Sequence, residues 1–137
     1  MKIVLDTNVL VSAMLNEQGT PARVVALVTS GRAQLLVSRA ILQEYDRVLA
    51  YADFGFTAEQ RESLRVELAE ESEQVSAEDV TLELPDPDDT EFLAVAIAGR
   101  ADYLVTGNKR HFPPLKSQGV RVLSPAEFIA AMPQDEG

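Results

Sequence analysis

The strongest constraint on the fold lies at the start of the chain, in Lys2-Ile3-Val4-Leu5-Asp6-Thr7-Asn8-Val9-Leu10. Three apolar residues, Ile3 to Leu5, run into an acid and two small polar residues, and an apolar helical pattern begins at Val9. An apolar run without alternation marks a strand buried on both faces, as in a parallel sheet covered by helices. Ligands of such sheets bind beyond the carboxyl ends of the strands, so Asp6 is a candidate site residue. An Asp between strand and helix is equally ordinary N-cap chemistry. Other carboxylates must converge on Asp6 before it reads as a site.

Further along, Gln34–Val37, Ala101–Val105 and Gly119–Leu123 are short apolar runs of the same kind. Between them lie helical patterns. Val9–Leu15 is one, and Thr20 followed by Pro21 caps a second. Ser38 can cap a third over Arg39–Ala50, and Thr57 to Gln60 is a capping box for a fourth that runs to about Ser72. Asp86-Pro87 starts a fifth that stops at Gly99. Ser124 to Glu127 is a second capping box, before Phe128–Met132. Val75–Leu84 alternates weakly and reads as irregular or edge structure. Strands alternating with helices predict one α/β domain with a parallel sheet over residues 1–132, followed by a loose tail at 133–137.

The chain has no cysteine and a single histidine among its 137 residues, which removes disulfides and thiolate ligands and disfavours a zinc site. No apolar run approaches the ~18 residues of a membrane span, and no secretory leader is visible, so a cytoplasmic protein is expected. The net charge of −10 argues at first against a nucleic-acid partner. The acidity is regional, however. Thr57 to Glu91 holds 13 acids and two bases, which leaves the remainder at +1. A solvated helix face accounts for most of it.

Three acids and an amide stand apart. Glu44 shares a helical stripe with Ile41, Tyr45 and Val48, although at the stripe's edge it would reach solvent or a nearby Arg. Asp89 stacks with Leu93, Ala96 and Ile97 and so faces inward at a helix start. Asp86 and Asp88 are accounted for as a cap and a first-turn acid. Asn108 follows the strand ending at Val105 much as Asp6 follows the first. No basic residue shares these stripes, and three converging carboxylates would repel one another without a cation among them. Oxygen donors alone point to Mg²⁺ or Mn²⁺, and to phosphodiester hydrolysis. Lys109, Arg110, His111 and Lys116 form the one concentrated basic patch.

Taken together, these motifs resemble the PIN-domain family of metal-dependent nucleases, which includes the VapC-type toxins. Leu5 to Ser12 looks like the first motif, Glu44 the second acid, Asp86-Pro87-Asp88-Asp89 the third region, and Leu104 to Asn108 the fourth. The resemblance implies a three-layer α/β/α sandwich around a parallel sheet of about five strands, and endoribonuclease activity with Mg²⁺ or Mn²⁺. In the toxin branch it also implies a cognate antitoxin and a homodimer. Asp6, Glu44 and Asp89 would be the metal-binding acids, with Asn108 completing the catalytic set. Many relatives have Asp where Asn108 stands, so the site has one charge fewer and a second ion is in question. Asp88 or Asp86 could take the place of Asp89, though the helix-face argument favours Asp89. Thr7, Asn8, Ser12 and Thr106 would orient the carboxylates or simply cap loops. Lys109, Arg110 and Lys116 would hold RNA phosphates.

Two other readings remain at the level of sequence. A receiver-type phosphoryl-signalling domain also uses a strand-end Asp, a Thr such as Thr106 and a Lys such as Lys109, but needs its Asp on a middle strand, where Val37-Ser38 stands. The haloacid-dehalogenase arrangement wants a second Asp at the place of Asn8. A catalytically silent PIN-like module that engages a protein partner is the other, and Asn108 keeps it open.

Overall fold

A computed structural model describes residues 1–113 and 117–132. Five parallel strands form one sheet in the order β3-β2-β1-β4-β5. They are β1 (Lys2–Leu5), β2 (Gln34–Val37), β3 (Ser72–Gln74), β4 (Tyr103–Val105) and β5 (Arg121–Leu123). The helices are α1 (Thr7–Leu15), α2 (Thr20–Thr29), α3 (Arg39–Leu49), α4 (Ala58–Glu70), α5 (Pro87–Ala98) and α6 (Pro125–Ala131). Ile3, Val4 and Leu5 are wholly buried, as a central strand covered on both faces requires.

From β1 the chain steps outward to β2 and β3, then returns through α5 to β4 on the other flank of β1. Right-handed crossovers running in opposite directions place their helices on opposite faces. In keeping with this, α2 packs with α1, α4 and α6, whereas α5 lies on β1, β2 and β4 with α3 beside it. The result is the expected α/β/α sandwich. The close seat of α5 depends on Gly99 at its C-terminus, because a Cβ there would meet Leu36 Cδ1 at 2.6 Å and Val75 Cγ2 at 3.1 Å.

Several boundaries differ from the sequence reading, and the runs 101–105 and 119–123 form strands only over Tyr103–Val105 and Arg121–Leu123. Helix α1 starts at Thr7, two residues before the apolar pattern, and Gly19, not Thr20, is the N-cap of α2. Strand β3 is the polar Ser72-Glu73-Gln74, which begins where the helix was expected to end at about Ser72, while no strand falls within 75–84. An edge strand is held by its backbone ladder, here prolonged by Val75 N–H to Val37 O at 2.8 Å, and needs no apolar side chains. The capping boxes at Thr57 and Ser124 and the caps at Ser38 and Asp86 form as read. The tail at 133–137 lies outside the described residues.

Candidate active site

The direction of chain travel reverses at β1 and β4, the switch point where open α/β sheets take ligands. Leu5 and Val105 are paired in register, so the next residues, Asp6 and Thr106, leave the sheet side by side. Each is held by one more ladder bond, Asp6 N–H to Val105 O at 3.0 Å and Thr106 N–H to Leu123 O at 2.9 Å. Asp6 occupies the N-cap position of α1, yet its carboxylate makes no capping hydrogen bond. The amides of Thr7 and Asn8 come near enough to favour its charge without reaching capping geometry.

What binds the Asp6 carboxylate is the far loop. Thr106 Oγ1 donates to Asp6 Oδ2 at 2.7 Å, and Asn8 Nδ2 donates to the same oxygen at 3.3 Å. Among the described residues nothing donates to Oδ1. Burial raises the Asp6 pKa above the usual carboxylate range, with the Thr106 hydrogen bond opposing it. Asn8 also accepts the Gly107 amide at 3.2 Å and so ties the start of α1 to the loop after β4. Thr7 is buried and its hydroxyl has no partner among the described residues. Ser12 is exposed and makes no side-chain hydrogen bond there.

Asp89 enters from α5. Asp86 caps that helix by accepting the Asp88 amide at 2.9 Å, which leaves Asp89 in the first turn with its side chain only 11% exposed. A helix N-terminus favours a carboxylate. Burial, the Asp86 charge and the Asp6 charge outweigh it, and the Asp89 pKa rises to about 6. His111 opposes the rise, with Nδ1 at 3.1 Å from Asp89 Oδ2. The other ring nitrogen, Nε2, lies 2.9 Å from Asn108 Nδ2. With the Asn108 amide in this orientation its nitrogen donates to Nε2, and a proton on Nδ1 would face Asp89. The Asn108 backbone N–H in turn donates to Thr106 Oγ1 at 3.0 Å. Asp6, Thr106, Asn108, His111 and Asp89 thus form one chain of contacts.

Glu44 is placed by its neighbour Tyr45, whose hydroxyl donates to Leu5 O at 2.6 Å and whose ring stacks on Phe92 at 6.3 Å. Burial and the charges of Asp6 and Glu44 keep that phenol protonated. The Glu44 side chain is 12% exposed but does not stand without a base, as the stripe argument expected. Arg47, one turn on, pairs with Glu44 and reaches Asp88 Oδ2 at 3.3 Å. Spacing of three along a helix suffices for this contact, because a long Arg side chain bends back over its own turn. Burial first, then a shared hydrogen bond with Asp88 and its charge, raise the Glu44 pKa to about 7 against the pull of Arg47.

Among the described residues no three Asp, Glu or His side chains are gathered closely enough to hold a metal ion. Asp89 feels the charge of Asp6, while Glu44 is drawn to Arg47 and feels the charge of Asp88. Of the basic patch, Lys109 is engaged by Glu127 at 2.9 Å, Arg110 is exposed, and Lys116 lies outside the described residues. The nearby Arg expected at the edge of the Glu44 stripe is Arg47, three residues on; the contacts of Arg47 with Asp88 and of His111 with Asp89 join separate elements and carry no spacing signal.

Comparison with known proteins completes the description. The PIN domain profile matches residues 2–110, a span that contains Asp6, Glu44, Asp89 and Asn108. No curated protein matches the sequence significantly. Among solved structures, the crystal structure of VapBC2 from Rickettsia felis bound to a DNA fragment from their promoter contains a similar chain. The identity is 17%, the match covers 90% of this chain and 98% of that one, and the TM-score is 0.56. At that identity the likeness speaks for the fold. The profile match over most of the chain settles the kinship: the protein belongs to the PIN-domain family, whose domains are generally nucleases.

Proposed function

We propose that the protein is a metal-dependent endoribonuclease, the toxin of a toxin-antitoxin pair. The observation that carries this reading is the desolvated, mutually repelling pair Asp6 and Asp89 at the switch point of the sheet. Burying like charges together is costly unless a cation joins them. The donors fit Mg²⁺ or Mn²⁺, because hard carboxylate oxygens suit these ions and Mg²⁺ commonly takes one or two carboxylates and keeps waters. Asp6 and Asp89 would hold the ion, and Glu44 would join them by exchanging Arg47 for it. Bound there, such an ion polarises a phosphodiester and acidifies a water.

The chain's own contribution is orientation and proton affinity. Thr106 and Asn8 hold one oxygen of Asp6 and leave the other open. In the metal-free protein the Asp89 pKa is about 6, so Asp89 is largely ionised near neutral pH and open to a cation, and His111 steadies its charge. Likeness to a chain of the VapBC2 complex supports an antitoxin partner; a homodimer and a cytoplasmic location belong to the same reading of the protein as a toxin. No helix among the described residues is long and apolar enough to cross a membrane. Labelled single-stranded RNA incubated with the protein should be cut in Mg²⁺ or Mn²⁺ and left intact in EDTA. A silent binding module is the second reading, favoured by Asn108 and by the hold of Arg47 on Glu44. Intact RNA after incubation with folded protein in millimolar metal would establish that one instead.

A further inference from the structure

The two ends of the sheet differ in charge. At the β3 end lie the acids of α4 and of the segment leading to α5, including Glu71 and Glu73. At the β5 end, a groove of about 630 Å³ runs between β5 and the turn Lys109–His111. Its floor is apolar, with Pro113, Val120 and Val122, and its rim carries Lys109, Arg110 and Arg121. These three cations are not equivalent. Glu127 takes both of its carboxylate oxygens to Lys109 Nζ, at 2.9 and 3.2 Å, so that this pair adds little net field. Arg110 is exposed and has no ion pair among the described residues, and Arg121 lies over the Tyr103 ring at 5.4 Å, likewise without an acid.

The groove and the acidic cluster share the turn Lys109–His111. One short turn sends His111 against Asp89 and Arg110 into the groove, so a chain leaving the cluster in this direction meets Arg110 first and Arg121 on the edge strand next. We propose that this groove holds the single-stranded RNA flanking the scissile bond, with Arg110 and Arg121 on its phosphates and the apolar floor under its bases. The proposal rests on the nuclease reading for its substrate and goes beyond it in naming the path and Arg121. A polyanion is the occupant that complements two acid-free guanidinium groups, and this path leads it away from the acidic end of the sheet. Guanidinium groups also suit phosphate oxygens geometrically.

Binding can be read without cleavage. Fluorescein-labelled oligouridylate, titrated in EDTA over a range of salt, should bind the Arg110→Ala/Arg121→Ala variant at least tenfold more weakly at low salt. The dependence of log K on log salt should be shallower by about 1.4, two single-strand phosphate contacts at about 0.7 each. Arg121→Lys alone should keep the wild-type slope. If the double variant does not fold, Arg110→Ala alone should lower the slope by about 0.7. Wild-type cleavage of RNA with affinity and slope unchanged in the double variant would overturn the groove and leave the nuclease reading intact. Groove-dependent binding with no cleavage in metal would leave the groove and overturn the nuclease reading. Sedimentation of the RNA-free protein as a dimer that the double variant dissociates would show a second copy on the groove, and would also overturn the proposal.

Discussion

Thr106 and Asp6 are joined by a hydrogen bond of 2.7 Å in which the hydroxyl donates, because an ionised carboxylate can only accept, while the Thr106 oxygen accepts the Asn108 backbone amide at 3.0 Å. Both residues are buried, and they come together only because β1 and β4 are neighbours in register.

Thr106→Val keeps the shape and removes both bonds. The Asp6 pKa, already raised by burial, should climb further, and stability at pH 7.5 in EDTA should fall by about 1.5–3 kcal/mol, as for a hydrogen bond to a charged group. Thr106→Ser should be close to wild type. Carboxyl NMR titration and urea unfolding check both. An unmoved Asp6 titration in Thr106→Val would mean that the contact does not orient the carboxylate.

The metal-free protein should lose stability as pH rises from about 4.5 to about 7. Asp89 and Glu44 have folded pKa values of about 6 and about 7, and Asp6 is raised as well. Over this window the native state therefore holds more protons than the unfolded chain, and stability falls with pH. Glu127, lowered to about 2 by Ser124 and Lys109, has the opposite sign but acts only below about 4.5. Metal should invert the trend, since it binds the ionised carboxylates. Urea unfolding in EDTA at pH 5 and pH 7.5 measures the sign, and a protein more stable at pH 7.5 would contradict it.

Arg47→Ala should tighten Mn²⁺ binding. Arg47 is largely exposed, so its loss should cost little stability, and it frees Glu44 from the cation it now pairs with. Calorimetric titration giving wild-type affinity in Arg47→Ala would separate Glu44 from the ion.

Much of this was legible in the sequence, for physical reasons that differ by residue. Ile3 to Leu5 and Gln34 to Val37 show themselves because strands covered on both faces must be apolar. Asp6 and Asp89 show themselves because an acid at a strand end or on an apolar stripe is costly. Ser72 to Gln74 could not be found in this way, since an edge strand is held by backbone bonds that any residue can make. The partner of Lys109 is hidden for a related reason: Glu127 is an exposed helix residue distant in sequence, and only side-chain reach in three dimensions brings it there, whereas Arg47 is a neighbour of Glu44 at i,i+3 spacing. Sequence alone does not decide whether Asp6 caps α1; in the structure Asp6 stands at the cap position without capping, and Asp86 is the residue that caps α5.

The central claim, that Asp6 and Asp89 serve an ion and not the fold, is tested most directly by thermal melts of wild type, Asp6→Asn and Asp89→Asn in EDTA and in excess Mg²⁺. Asp86→Ala is the control for a true cap and should lose about 1 kcal/mol in EDTA while keeping its Mg²⁺ response. For the two site variants, removal of a buried charge should leave the metal-free protein as stable as wild type or more so, and the Mg²⁺-induced rise in melting temperature should largely vanish. Variants that melt lower than wild type in EDTA and keep the full Mg²⁺ shift would contradict the account.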